Sequence, residues 1–287
     1  MNKDYAQDSA LGKGSQYDNT YSPDLLFPIA RADYRATIDN YIESAYGHDL
    51  WQCYELSWLN SQGLPQVACA NILVPINSAV IVESKSLKLY LNSFFDLRFD
   101  SSSAVKARLE EDLSSRIGVP VEVEITSASA KPLNTSKQSD DSSYSEAGNQ
   151  QAILLDTLDI DCEQYERDAQ LLQLDQSHPQ VVDELLSSHL LRSHCPVTNQ
   201  PDWGTLSIRY TGKAIDHASL LRYIVSFRQH CGFHEQCVEQ IYADIMLRCE
   251  PSELTVYAQY TRRGGIDINP LRSSIDKPLF SARIWRQ

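Results

Sequence analysis

The chain has 287 residues, about twice a typical ~150-residue domain, so one large domain or two modules are both allowed. With 25 Lys and Arg against 38 Asp and Glu the net charge is −13, which argues against a nucleic-acid backbone or an anionic membrane face as the main partner. A hydrophobic content of 42% and a charged content of 22% exclude wholesale disorder, collagen and a coiled-coil rod, and no stretch approaches the ~18 apolar residues of a membrane span.

The N-terminus, MNKDYAQDSALGKGSQYDNTYSP, is polar and has no apolar signal core, so the expected location is cytoplasmic and the expected thiol state reduced. Residues 1–49 read as an N-terminal extension. A first module, 50–163, then offers β-branched and aromatic stretches at Trp51 to Leu59 and Val67 to Val82, helical patterns at Ser84 to Phe95 and Ala104 to Leu113, and period-two alternation at Val119 to Ile125. Residues 131–150, KPLNTSKQSDDSSYSEAGNQ, hold too few apolar side chains to offset ordering and read as a mobile loop. A second module, 164–287, repeats the plan: Leu185 to His194, Thr205 to Tyr210, helices near His217 to His230 and Glu235 to Cys249, and a strand at Leu254 to Arg262. The segment LLSSHLLRSH at 185–194 fits helix and strand periods alike, and its place in the plan favours strand.

The two modules align with each other. ESKSLKLYLNSF from Glu83 lies opposite DHASLLRYIVSF from Asp216, so that Glu83 meets Asp216, Ser86 meets Ser219, Tyr90 meets Tyr223 and Phe94 meets Phe227. The implied fold class is α+β, with two tandem modules, each an antiparallel sheet carrying a helix pair on one face. Charge is uneven. Residues 131–187 hold 12 acids against 3 bases and residues 262–287 hold 6 bases against 2 acids, so the C-terminal stretch can meet phosphate locally.

Seven cysteines form an odd set without C-x-x-C, which suits neither a disulfide framework nor a zinc ribbon. The densest polar cluster is SHCPVTNQPDW at 193–203. Cys195 and Asp202, with Pro196 and Pro201 stiffening the loop, can be held at hydrogen-bonding distance. A free thiol has a pKa of ~8.5 and needs a base or positive field to attack at neutral pH; Asp202, desolvated against Trp203, can move that proton. The same residues equally suit a buried structural cysteine beside a turn. His194 suggests a Cys-His pair, but neighbouring strand residues face opposite ways.

His230, Cys231, His234 and Cys237 offer soft metal ligands without a recognised spacing, and Gly232 is expected to break the helix and restart it near Phe233. Phe233, His234 and Glu235 at that start combine a ring to lie on a planar ligand with a carboxylate to accept its N–H edge. Lys85 and Lys88 share one helical face, where two ammonium groups repel unless an anion bridges them. Arg262-Arg263-Gly264-Gly265 lets backbone approach a phosphate. No G-x-G-x-x-G or Walker A occurs, so a nucleotide binds outside those modes.

Taken together, these residues resemble the NADPH-dependent 7-cyano-7-deazaguanine reductases, the nitrile reductases of queuosine biosynthesis. The resemblance is carried by ESKSLKLY at 83–90, Cys195-Pro196 with Gln200-Pro201-Asp202, Phe233-His234-Glu235, and Arg263-Gly264-Gly265-Ile266-Asp267. It covers the chain from about Leu50 onward. In the family's one-module form these motifs share one module; here the first half keeps the octapeptide and has Leu59 where Cys195 aligns, and the second half keeps Cys195, Asp202, His234 and Glu235. The resemblance therefore implies the two-module form, a site completed by both halves, the tunnelling fold and a homodimer.

It also implies roles. Cys195 is the nucleophile, Asp202 the acid, and His234 relays a proton or places the cofactor. Glu83, Ser84, Phe233 and Glu235 bind 7-cyano-7-deazaguanine, while Lys85, Lys88, Arg262, Arg263 and Gly264 hold NADPH, with no metal, nucleic acid or membrane involved. Two other readings stay open on the sequence: a metal-dependent cyclohydrolase on the same fold, and a non-enzymatic purine-binding module.

Overall fold

The computed structural model describes residues 20–43, 45–127, 152–178, 181–276 and 284–287. The segment 131–150 lies outside them, as do residues 1–19. The chain divides into two compact units: unit 1 gathers the described residues of 1–33, 49–139 and 262–268, and unit 2 those of 34–48, 140–261 and 269–287.

In unit 1 strand β2 (Tyr46–Leu59), which begins in unit 2, neighbours β3 (Pro65–Pro75), which pairs antiparallel with β5 (Glu122–Ser127). A short ladder joins β1 (Pro28–Ala30) to β4 (Val80–Val82). Helices α2 (Ser84–Asn92) and α3 (Ser102–Ile117) follow. In unit 2 the strand order is β10 (Ile266–Ser273, begun in unit 1), β9 (Glu253–Tyr260), β8 (Pro201–Lys213), β7 (Val181–His194) and the two-residue β6 (Ile153–Leu154). Helix α4 (His217–Ser226) packs on β7 and α5 (His234–Cys249) on β9. Unit 2 closes over a core that includes Leu186, Leu206, Ile208, Tyr223, Phe227, Val238 and Ile241. The α+β class is as expected; β6 departs from the antiparallel rule by pairing parallel with β7.

The internal repeat is visible as chemistry. Glu83 caps α2, its carboxylate accepting from the amides of Lys85 and Ser86, and Asp216 caps α4 by accepting from Ser219. Ser86 and Ser219 hydroxyls each donate back to the cap carbonyl, at 2.7 and 2.8 Å. Tyr90 donates to Asp112 and Tyr223 to Asp244, both at 2.6 Å. Phe94 sits edge-on to Tyr90, as Phe227 does to Tyr223. The correspondence reaches further upstream than the sequence alignment: the Phe27 and Gln173 carbonyls each accept from the amide of the cap residue, Glu83 or Asp216, and their own amides donate to the hydroxyl of the matching serine, Ser86 or Ser219. A 3-10 turn precedes each, Pro23–Leu25 and Ala169–Leu171, and each is capped by a side-chain oxygen, from Ser22 and Asp168.

Strand β7 positions the site. Its register with β8 runs Leu186↔Ile208 and Ser188↔Leu206, then resumes at Leu191↔Gly204 and Ser193↔Asp202. His189 and Leu190 form a bulge, which shifts the inward face from even to odd positions. Asp156 holds that bulge, accepting from the Ser188 hydroxyl at 2.6 Å and the His189 amide at 2.8 Å. Asp156→Ala should therefore cost about 1.5–3 kcal/mol of unit 2 stability, the usual range for hydrogen bonds to a charged group. Urea unfolding checks this, and a loss within error would mean that something else sets the register.

Candidate functional site

Beyond the bulge Leu191, Ser193 and Cys195 face inward, and Asp202 and Gly204 face inward from the opposite strand. Cys195 is thus one inward step along from the Ser193–Asp202 pair. Cys195 is 6% exposed and Asp202 4%. The loop between them is tight: Cys195 donates its amide to Gln200 and accepts from Asn199, and Asn199 takes the left-handed conformation (φ 56°) that closes it. His194 faces the other way, bonded to Arg192 and the Asn199 carbonyl. A Cys195–His194 hydrolase pair is incompatible with that geometry.

Past its last pairing with β8, the β7 backbone is stitched to the segment before α5. His194 donates to the His230 carbonyl and accepts from Gly232, at 2.8 and 3.0 Å. This brings the α5 N-terminus to the hairpin. Space at Gly232 is tight: a Cβ would lie 3.1 Å from His230 Nε2 and Gln236 Oε1, so a side chain there would have to displace both. Helix α5 starts at His234 with Phe233 as its cap residue, as the glycine predicts.

The His234 imidazole lies parallel to the Tyr260 ring, centroids 3.8 Å apart, and its Nε2 is 3.5 Å from Asp202 Oδ2. Its Nδ1 is buried without a hydrogen-bond partner among the described residues. Glu235, 2% exposed, occupies the first turn of α5, where the helix dipole favours a carboxylate. Phe233 meets Tyr34 edge-on. Unit 2 thereby gathers Cys195, Asp202, His234, Phe233 and Glu235 around the hairpin end and the start of α5.

Trp203 does not desolvate Asp202. It points to the opposite face of β8, 37% exposed, with the Arg192 and Arg228 guanidiniums 5.4 and 5.7 Å from its ring. Asp202 is covered instead on the side of His234, Cys237 and Tyr260. Burial pushes the Cys237 thiol up to about 12 and the Cys249 thiol to about 12, so both stay protonated and inert as nucleophiles. Burial pushes His230 down to about 4, with the Arg167 charge adding to it, which leaves that imidazole neutral. All seven cysteines are free thiols, and the described residues contain no cluster of three or more His, Cys, Asp or Glu suited to a metal.

In unit 1 Lys88 is paired with Glu55 at 3.0 Å, while its side chain stays 27% exposed. The Arg263 to Ile266 turn lies against this pair. Gly264 and Gly265 are both left-handed (φ 58° and 79°), and Cβ atoms there would lie 3.2 Å from Lys88 and 2.6 Å from Glu55. Arg262 stacks on the Tyr54 ring at 4.5 Å, and the Tyr54 hydroxyl donates to Asp267 at 2.7 Å. A turn whose backbone approaches a lysine, among the cations Lys88, Arg262 and Arg263, fits a polyanionic dinucleotide. Glu83 and Ser84 are at the α2 cap, the Ser84 hydroxyl donating to Glu83 Oε1 at 3.3 Å. Burial raises the Glu83 carboxyl, and the bonds from Lys85, Ser86 and Ser84 oppose that rise.

Glu55, Tyr54 and Tyr260 escaped the sequence reading. Glu55 and Tyr54 sit in an ordinary strand, and only the fold sets them beside the turn. Tyr260 ends β9 with no motif around it.

Comparison with known proteins identifies the family. The family described as "Nitrile reductase, 7-cyano-7-deazaguanine-reductase N-term" matches residues 17–125, and the one described as "QueF-like protein" matches residues 201–278. A NADPH-dependent 7-cyano-7-deazaguanine reductase of Burkholderia orbicola is 50% identical over 97% of this chain and 98% of its own length. The reductase of the same name from Dechloromonas aromatica is 50% identical over 93% of this chain and 91% of its own. The solved apo archaeosine synthase QueF-Like covers 35% of this chain and 98% of its own, at 17% identity and a TM-score of 0.30. Identity of that extent over nearly the whole length leaves one assignment: the chain belongs to the NADPH-dependent 7-cyano-7-deazaguanine reductase family.

Proposed function

We propose that the chain reduces the nitrile of 7-cyano-7-deazaguanine to the aminomethyl group, a step of queuosine biosynthesis, through a covalent thioimide on Cys195. The carrying observation is that Cys195 and Asp202 face the same buried side of one hairpin while His234 Nε2 lies 3.5 Å from Asp202.

A nitrile carbon is a weak electrophile, so the Cys195 sulfur adds to it and the nitrogen gains a proton, giving the more reactive thioimide. Asp202 supplies that proton, and His234, held by the Tyr260 ring, restores it through Nε2. NADPH, when bound, would supply one hydride for the thioimide carbon, and a second NADPH would supply another for the imine left once the thiolate has departed. Burial of Cys195 and Asp202 keeps water from hydrolysing that imine. Phe233 and Glu235 hold the base, Glu235 accepting its N–H edge. A substrate role for Glu83 rests on the family resemblance: a carboxylate has about four lone-pair sites, so the two amide bonds at its cap leave capacity for a ligand. Ser84 supports Glu83. Lys85, Lys88, Arg262, Arg263 and the Gly264 backbone hold the cofactor phosphates. The same reading carries a homodimer of two-module chains, which rests on family resemblance, and a cytoplasmic location, which seven free thiols support.

Three outcomes test this reading. Cys195→Ala should abolish a covalent adduct of substrate mass in intact-protein mass spectrometry, and a surviving adduct would identify another nucleophile. Asp202→Asn should slow adduct formation by roughly 10²–10⁴-fold, the range for a positioned acid; an unchanged stopped-flow rate removes its role. Lys85→Ala with Lys88→Ala should raise the KM for NADPH and spare the adduct, whereas loss of both would contradict the division of labour.

A further inference from the structure

The face of the β7–β8 hairpin turned away from Cys195 carries its own cavity. It has a volume of about 500 Å³ and is lined by Tyr165, Arg192, His194, Asn199, Arg228 and Gln229, all in unit 2. None of these is acidic. Arg192 is the register partner of Trp203 on β8, so its guanidinium lies over the indole, and Arg228 reaches the same ring from the end of the segment after α4.

The two arginines are built in differently. Arg192 donates from Nη1 to His194 Nε2 at 2.9 Å and to the Arg228 carbonyl, which fixes its guanidinium. That bond makes Nε2 the acceptor, so His194 carries its proton on Nδ1, donated to the Asn199 carbonyl at 3.1 Å. The histidine thereby braces Arg192 against the loop. Among the described residues the Arg228 guanidinium makes no hydrogen bond and no ion pair, and its one ring contact is with Trp203. Neither arginine has a carboxylate partner among the described residues, although the chain carries a net charge of −13. Trp203 and Tyr165 stay 37% and 39% exposed beside them.

Two unopposed guanidiniums suit a phosphate, which they can grip with paired N–H donors. The half-exposed indole and phenol rings suit a planar base, and the Asn199 and Gln229 amides suit its edge. The volume lies in the range of small-molecule sites. We propose that this cavity is a second ligand site that binds a nucleotide by its phosphate monoester. It stands on the opposite face of the hairpin from Cys195 and does not depend on the nitrile chemistry.

The test uses the intrinsic fluorescence of the full chain, titrated separately with adenosine 2′-monophosphate, adenosine 5′-monophosphate, inorganic phosphate and adenosine. A saturable change with the monophosphates at millimolar concentration or below is expected, weaker with inorganic phosphate and missing with adenosine. It should vanish in Trp203→Phe, which removes the reporter, and weaken at least about tenfold in Arg228→Gln, equivalent to about 1.4 kcal/mol. Arg228→Gln carries the test because its side chain makes no hydrogen bond whose loss would unfold the hairpin; a matching thermal melt verifies this. A raised KM for NADPH in Arg228→Gln would assign the site to the adenosine 2′-phosphate of the cofactor, and an unchanged KM alongside monophosphate binding would assign it to a free nucleotide. Both uphold a phosphate site. No saturable change, an equal response to adenosine, or an unaltered titration in Arg228→Gln would overturn it, and none of these would touch the Cys195 adduct.

Discussion

One carboxylate governs which way β7 faces. Side chains on a strand alternate strictly, so a single inserted step exchanges the buried and exposed sets along everything that follows. Asp156, by gripping Ser188 and His189, fixes that step between Ser188 and Leu191. Without it the even positions would continue inward, placing Arg192 and His194 in the apolar interior and turning Ser193 and Cys195 outward. The inward aim of Cys195, the inward pairing of Ser193 with Asp202 and the cationic outer face all follow from this one local irregularity. Bulges beside active sites commonly re-aim a side chain in this way.

The second constraint is a repeated helix-start device. In both halves an acidic residue caps the first helix, a serine three positions on closes back to it, and a tyrosine at the next turn donates to a buried aspartate of the second helix. Glu83 and Asp216 are thus the same structural part, and duplication freed the halves to differ elsewhere. Unit 1 elaborates the face of α2 with Lys88, matched by Glu55 and the glycine turn. Unit 2 elaborates the hairpin end with Cys195 and Asp202.

Much of this was legible in the residues. Helix and strand positions followed from periodicity, the restart at His234 from Gly232, and the repeat from the aligned caps and aromatics. The ambiguity of LLSSHLLRSH has a physical origin: the bulge interrupts the period of two, so leucines at 185–186 and 190–191 mimic a helical spacing. Its anchor Asp156 lies over thirty residues away in sequence, so no local pattern announces it. Trp203 was assigned to the wrong face because a Pro-Asp-Trp run was read as a turn, whereas it is strand from Pro201 onward. The pairing of Lys88 with Glu55 could not be read from the sequence because the two are distant along the chain and adjacent only through the sheet.

The stacked imidazole has a consequence for proton supply. With the Tyr260 ring parallel at 3.8 Å the His234 ring is sterically discouraged from flipping, and its Nδ1 faces no donor, acceptor or solvent among the described residues. The Nε2 atom is the one turned to a carboxylate, 3.5 Å from Asp202. Conversion of a nitrile to an amine takes up two protons along with its two hydrides, so under the proposed reaction protons must reach this pair from outside within each cycle, by a route that does not pass through Nδ1.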